Sequence, residues 1–322
     1  YSQRSPERYG QATYATRSSL LPSTREIRRR IRSVKNISQV TRAMQMVAAS
    51  KMRRAQEQVL ATRPYAEKAW QVLTNLAAQR GVDETVHPLL QAREEIRSIG
   101  MLLITADKGL CGSYNHSMIQ AASRFIDELP CPVELITVGK RGRDAMWRMN
   151  RNIIAEFSDL PPQPGLLDVT PIAHVAMDGF VAEQYDVVYL AHMDFINTLT
   201  QRPAIWQPLP LVPLDLGVTP VSEHRGEEPP SATVEYIYEP DPRTILDTVL
   251  PRFTELQVYQ ALLEALASEH SARMVAMRSA TENAMDLLDD LTLTYNRARQ
   301  EAITKEMLDI AGGAEALSQA RA

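Results

Sequence analysis

Glycine is missing from two long stretches of this 322-residue chain, Gln11 to Arg80 and Glu227 to Ala311. Glycine loosens or ends helices, and an ordinary globular helix runs about 11–12 residues, so its absence over such lengths predicts two unusually long terminal helices around a middle domain. Cysteine is scarce as well. Cys111 and Cys131 form neither a CxxC pair nor a ligand pattern with histidine, which argues against a metal site or a disulfide framework and points to a reducing compartment. No run of about 18 apolar residues occurs, the longest being strand-sized pieces such as Gly100 to Ile104, so the sequence encodes no membrane-spanning helix. With 44% hydrophobic and 23% charged residues, the chain has the composition of a foldable protein and room for about two domains.

The net charge of −4 hides an asymmetry. Arg25 to Arg54 holds ten basic residues against the single acid Glu26, with Arg28, Arg29, Arg30, Arg32 and Lys35 clustered within two turns. Asp286, Asp289, Asp290, Glu301, Glu306 and Asp309 make the end of the late helix acidic, so pairing of the two helices is electrostatically assisted. Aromatic residues that would stack on bases are lacking beside the cations, and the basic face reads as solvated or turned to an acidic protein surface, not to nucleic acid. Residues 1–22, with Arg4, Arg8 and Arg17 against Glu7, show no apolar face and are expected to be a disordered leader, a targeting remnant or an engineered addition.

Ser23-Thr24-Arg25-Glu26 is a capping box and starts the first helix. Ile27, Ile31, Val34, Val40, Met44, Val47, Ala55 and Val59 recur by threes and fours, a narrow seam suited to a coiled coil, with a bend expected at Pro64 and an end near Gly81. Asp241-Pro242 reads as an N-cap followed by proline at the first helical position, and the second helix is expected to run from there to Gly312-Gly313. These assignments divide the chain into 1–22, an N-terminal coiled-coil helix 23–81, a middle domain 82–240, and a C-terminal helix and tail 241–322.

Within the middle domain, Ile99–Thr105, Val133–Val138 and Asp186–Ala191 are short runs rich in β-branched residues, separated by helix-compatible segments at Asn115–Leu129, Arg141–Met149 and Thr170–Gln184. That is the βαβ rhythm of a parallel or mixed sheet. A proline-rich loop is expected over Trp206–Gly226, then a last strand at Val234–Tyr238. The turn Asp107–Gly112 stands where phosphate loops sit, but meets neither GxGxxG nor GxxxxGK[ST], and nothing in the sequence puts a base beside Cys111. His87, His116, His174, His192, His224 and His270 are scattered singly. The residues favour a mechanical part, and leave open a nucleotide-binding α/β enzyme with helical arms or a dimerising coiled-coil scaffold.

Ser33-Val34-Lys35-Asn36-Ile37, followed by Thr41 to Met52 (TRAMQMVAASKM), resembles the N-terminal signature of F-type ATP synthase gamma subunits. Asp107 to Gly112 resembles that family's glycine turn, and Ala267 to Met277, Asp289 to Gln300 and Ile303-Thr304 resemble its C-terminal signature. The resemblance runs from Ser23 to about Leu317. It implies a long antiparallel coiled coil of the terminal helices, and a central Rossmann-like α/β domain. It implies too a non-catalytic central rotor that couples proton flow through a membrane ring to ATP synthesis and hydrolysis. The implied partners are the hexamer of alpha and beta subunits, the epsilon subunit and the ring of c subunits, with no cofactor on this chain because nucleotide and magnesium belong to alpha and beta. Met44 and Arg273 match residues near the beta subunits' lever segment, and Arg299, Gln300 and Thr304 match polar side chains that bond beta loops. The chain has no cysteine after Cys131, so the redox switch of chloroplast-type relatives is not expected. Its expected place is peripheral, on the cytoplasmic side of a bacterial membrane, the arginine-bearing leader being the one feature in favour of an organelle inner membrane.

Overall fold

A computed structural model describes residues 23–78, 87–93, 95–211 and 242–319. Residues 1–22, the strand expected at Val234–Tyr238, the N-cap Asp241 and most of the loop expected over Trp206–Gly226 lie outside the described residues. The chain divides into two compact units, one of Tyr1–Arg42 with Ser279–Ala322, the other of Ala43–Arg278.

Helix α1, Thr24–Ala78, starts at the predicted cap: the amide of Glu26 donates to Ser23 Oγ at 3.3 Å, and that of Ile27 to the Ser23 carbonyl at 3.0 Å. Pro64 lies within α1 without ending it. Helix α5, Pro242–Gln319, is 78 residues long, about 115 Å at 1.5 Å per residue. It passes through Gly312-Gly313, where a stop was expected. A Cβ on either glycine would meet nothing within 4 Å, so neither glycine answers a local turn or a close approach.

In the first unit α1 and α5 are antiparallel, since Arg28 meets Tyr295 and Thr41 meets Thr281. The seam on α1 there is Ile27, Ile31, Val34, Ser38 and Thr41, answered on α5 by Thr281, Ala284, Leu288, Leu291, Tyr295 and Ala298, all buried or half-buried at alternating steps of three and four. Two expected seam residues fall off it: Val40 is 58% exposed and, in the second unit, Val47 is 56% exposed. Small or polar residues, Ser38, Thr41 and Ala48, occupy the seam instead, and apolarity alone misassigned the helix face. Ala48 and Ala55 are buried on the α1 segment of the second unit, and Val59 packs against its core.

The second unit holds a five-stranded sheet in the order β3-β2-β1-β4-β5. Its strands are β1 Ile99–Ile104, β2 Val133–Val138, β3 Asn152–Phe157, β4 Val187–Phe195 and β5 Gln201–Leu209, with helices α2 Tyr114–Glu128, α3 Lys140–Arg148 and α4 Leu166–Val181 between the first four, and a 3-10 turn at Pro88–Leu90. Strands β1 to β4 are parallel and β5 is antiparallel to β4. All six residues of β1 are buried, because Met101 and Leu103 join the core under α2 and α3 while Leu102 and Ile104 join the core under α4 and α5. Trp206 to Leu209 belong to β5, which corrects the loop expected to begin there; Pro203 and Pro208 within it are tolerated because β5 is an edge strand.

Candidate partner interface

The loops at the carboxyl ends of β1, β2 and β3 are fastened through one turn. Asp107 accepts the amide of Lys140 on Oδ1 and that of Asp159 on Oδ2, both at 3.1 Å, joining the ends of all three strands. Gly139 opens α3 with φ +96°, and a Cβ there would lie 2.1 Å from the Thr105 carbonyl oxygen, so only glycine fits. Asn115 accepts the amide of Ala106 at 3.0 Å and donates to the Lys108 carbonyl and to Cys111 Sγ. Cys111 is buried, and desolvation raises its thiol above the ordinary value, although Arg273 opposes the shift. It therefore stays a thiol at neutral pH and is a poor nucleophile.

Arg273, expected to meet a beta subunit, lies mostly inside its own unit. It pairs with Glu269 at 2.6 Å, donates to the Gly109 carbonyl at 3.2 Å, and stands 3.3 Å from His270 Nδ1. Burial raises the Glu269 carboxyl, with Arg273 pulling the other way. Burial, with Arg273 and Lys51 nearby, lowers His270 to about 4, so it is neutral at pH 7. Glu269 was not singled out from the sequence, although its spacing of four before Arg273 on a helix is the usual signal of an ion pair.

Met44 is half-buried on α1. In the first unit Arg299, Gln300 and Thr304 are exposed, and Gln300 and Thr304 share one side of α5 with Arg297, Glu301, Lys305 and Leu308. From Arg299 to Ala314 every residue of α5 is exposed, including Ile303, Met307, Leu308 and Ile310. The reason is the register: α1 begins at Thr24, and the pairing of residue 28 with 295 uses up α1 near residue 299. Of the basic face, Arg28 donates to the Tyr295 hydroxyl with its guanidinium 5.4 Å from the ring centre, and Arg29, Arg30, Arg32 and Lys35 are exposed. The structure thus groups the late polar residues on a bare helix end, keeps the basic face outward, and turns Arg273 inward.

Among the described residues no cluster of three potential metal ligands occurs, and no helix is long and apolar enough to cross a membrane. His87, His174 and His192 face single carboxylates, Asp247, Glu255 and Glu264.

The model of the ATP synthase family matches residues 23–317, leaving out 1–22. The ATP synthase gamma chain of Roseiflexus castenholzii is 49% identical over 302 residues, covering 93% of this chain and 100% of the relative. That of Chloroflexus aurantiacus is 48% identical over 307 residues, covering 92% and 100%. Among solved structures, the central stalk and c-ring of the Tetrahymena thermophila mitochondrial ATP synthase gives a TM-score of 0.55 at 25% identity, over 75% of this chain and 99% of that one. A chain of the Euglena gracilis mitochondrial ATP synthase, from the F1 and c-ring assembly in rotational state 3, has the same fold, with a TM-score of 0.62 at 21% identity over 91% and 94%. With a family model spanning its described length and relatives near half identical from end to end, the chain belongs to the ATP synthase family as a gamma chain, the central-stalk subunit of the F-type enzyme.

Proposed function

We propose that this gamma chain is the rotating shaft of its complex. The ring of c subunits turns it, the epsilon subunit rides with it, and its helices act inside the hexamer of alpha and beta subunits. The observation that carries the reading is near-half identity along the whole length of bacterial gamma chains. The bare end of α5 fits it: a stretch from Arg299 to Ala314 exposed on every side suits a helix that a ring of partners surrounds. Arg299, Gln300, Thr304 and Met44, with the basic face Arg28 to Lys35, are its contacts with beta. Because the shaft is asymmetric, each angle favours a different state in each beta subunit, and that differential contact energy converts rotation into ATP synthesis or the reverse.

The chain itself supplies no catalytic residue in this reading, and ATP, ADP and magnesium are bound by alpha and beta. The missing phosphate-loop pattern and the thiol character of Cys111 support it. Its place is peripheral, at the cytoplasmic face of a bacterial membrane, in keeping with the bacterial relatives. The deciding experiment is ATP hydrolysis by alpha and beta subunits co-expressed with and without this chain, with stoichiometry read by native mass spectrometry. One copy per three alpha–beta pairs with raised turnover is expected; exclusion from the complex with unchanged turnover would refute the rotor.

A further inference from the structure

Arg273 reaches into the turn that gathers the sheet. Its side chain is 13% exposed and that of Glu269 12%, so the pair is largely out of water. One guanidinium nitrogen, Nη1, holds Glu269 on α5 itself, while the other, Nη2, donates to the backbone carbonyl of Gly109. Gly109 lies two residues after Asp107, whose carboxylate takes the first amide of α3 and the amide of Asp159 beyond β3. The ends of β1, β2 and β3 are therefore connected by hydrogen bonds to one side chain of α5. Nearby, Tyr114 at the start of α2 donates its buried hydroxyl to the Ala265 carbonyl, and Ser271 donates to the Thr198 carbonyl beside the β4–β5 turn, but neither contact carries charge. Among the described residues, Arg273 alone combines a buried charge, a fork geometry and a bond to the turn that holds three strands.

We infer that Arg273 is a positioning residue for rotary coupling, acting from inside the subunit: it fixes the sheet's strand ends to α5, so that force applied to the α/β unit turns the helix instead of sliding past it. The inference rests on the rotor reading above. It differs from a contact with beta in what it needs, namely a fork that serves Glu269 and the Gly109 carbonyl together. Lysine keeps the charge and the pair with Glu269 but offers a single nitrogen.

The test uses the complete proton-translocating complex in vesicles, comparing wild type with Arg273→Lys and with the double variant Glu269→Gln/Arg273→Met, which removes both buried charges at once. Native mass spectrometry checks incorporation, and ATP hydrolysis and ATP-driven proton pumping are measured on the same preparation. In both variants pumping is expected to fall at least threefold more than hydrolysis does, and amide exchange across residues 107–112 to quicken in the assembled complex. A double variant that incorporates and pumps at the wild-type ratio would overturn the inference, because coupling would then survive without the fork that joins Glu269 and the Gly109 carbonyl. Equal losses of pumping and hydrolysis with unchanged exchange would overturn it in favour of a contact with beta. Failure of the wild-type chain to enter the complex or to pump would sink the rotor reading itself, and this inference with it.

Discussion

Thr41 of α1 and Thr281 of α5 face each other across the helix pair with their hydroxyl oxygens 2.7 Å apart, and Thr281 is 7% exposed. A hydroxyl pair at this point in the seam, together with the Arg28–Tyr295 contact nearer the start of α1, helps to set the register of two helices that meet largely through aliphatic contacts, much as a single polar residue does in other coiled coils. Replacing either threonine by valine should cost about 1 kcal/mol, whereas the double valine variant should cost less than the sum of the two. Thermal denaturation of the four proteins of this cycle measures the difference, and strict additivity would mean that the bond contributes nothing.

His270 gives the fold a pH dependence with a definite sign. Its folded value is lowered to about 4, by burial first and by Arg273 and Lys51 after it, against 6.5 for the free side chain. The unfolded chain therefore takes up a proton that the folded chain refuses between those values, so stability falls as pH drops from about 6.5 towards 4, by up to about 3 kcal/mol. Denaturant midpoints for wild type and His270→Gln across this window check it, since the variant should show the shallower slope.

Two glycines should respond in opposite directions to alanine. At Gly139, with φ +96° and the Thr105 carbonyl oxygen 2.1 Å from the added Cβ, Gly139→Ala should cost more than about 3 kcal/mol, enough to deplete the folded protein. Gly312 sits inside α5 with open space around it, and Gly312→Ala should stabilise the helix end by up to about 1 kcal/mol. Soluble expression reports the first, and helicity by circular dichroism the second.

The two thiols should separate in a labelling experiment. Cys111 is buried and held in the thiol form, whereas Cys131 is half-buried with its sulfur against the Ile96 carbonyl. Maleimide added to the native chain should modify Cys131 first, and Cys111 only at the rate of unfolding; mass spectrometry of timed samples would expose the opposite order.

Most of the architecture was legible in the sequence because its signals are local. The cap at Ser23, the proline opening α5 and the apolar runs of β1 and β2 each carry their own information. Strand β3 escaped because Asn152 to Phe157 is an edge strand of alternating exposure, without the continuous apolar run that marks a strand buried on both faces. Strand β5 escaped because two prolines read as loop unless its edge position is already known. At the interface, periodicity gave the helices but not which face meets which: the hydroxyls of Ser38 and Thr41 sit in the seam while Val40 lies outside it. The inward turn of Arg273 depends on the Gly109 carbonyl, a backbone atom 164 positions away, which no side-chain pattern announces.

The unaccompanied end of α5 also has a thermodynamic meaning. A lone helix in water is marginal below about 12–15 residues even with favourable composition, and Arg299 to Ala314 has no neighbour among the described residues to hold its turns closed. These turns owe their persistence to the long helix they continue, whose earlier turns are packed. A sheath of partners around this stretch supplies the neighbours that the described residues do not, so added rigidity at the tip is a property gained on assembly.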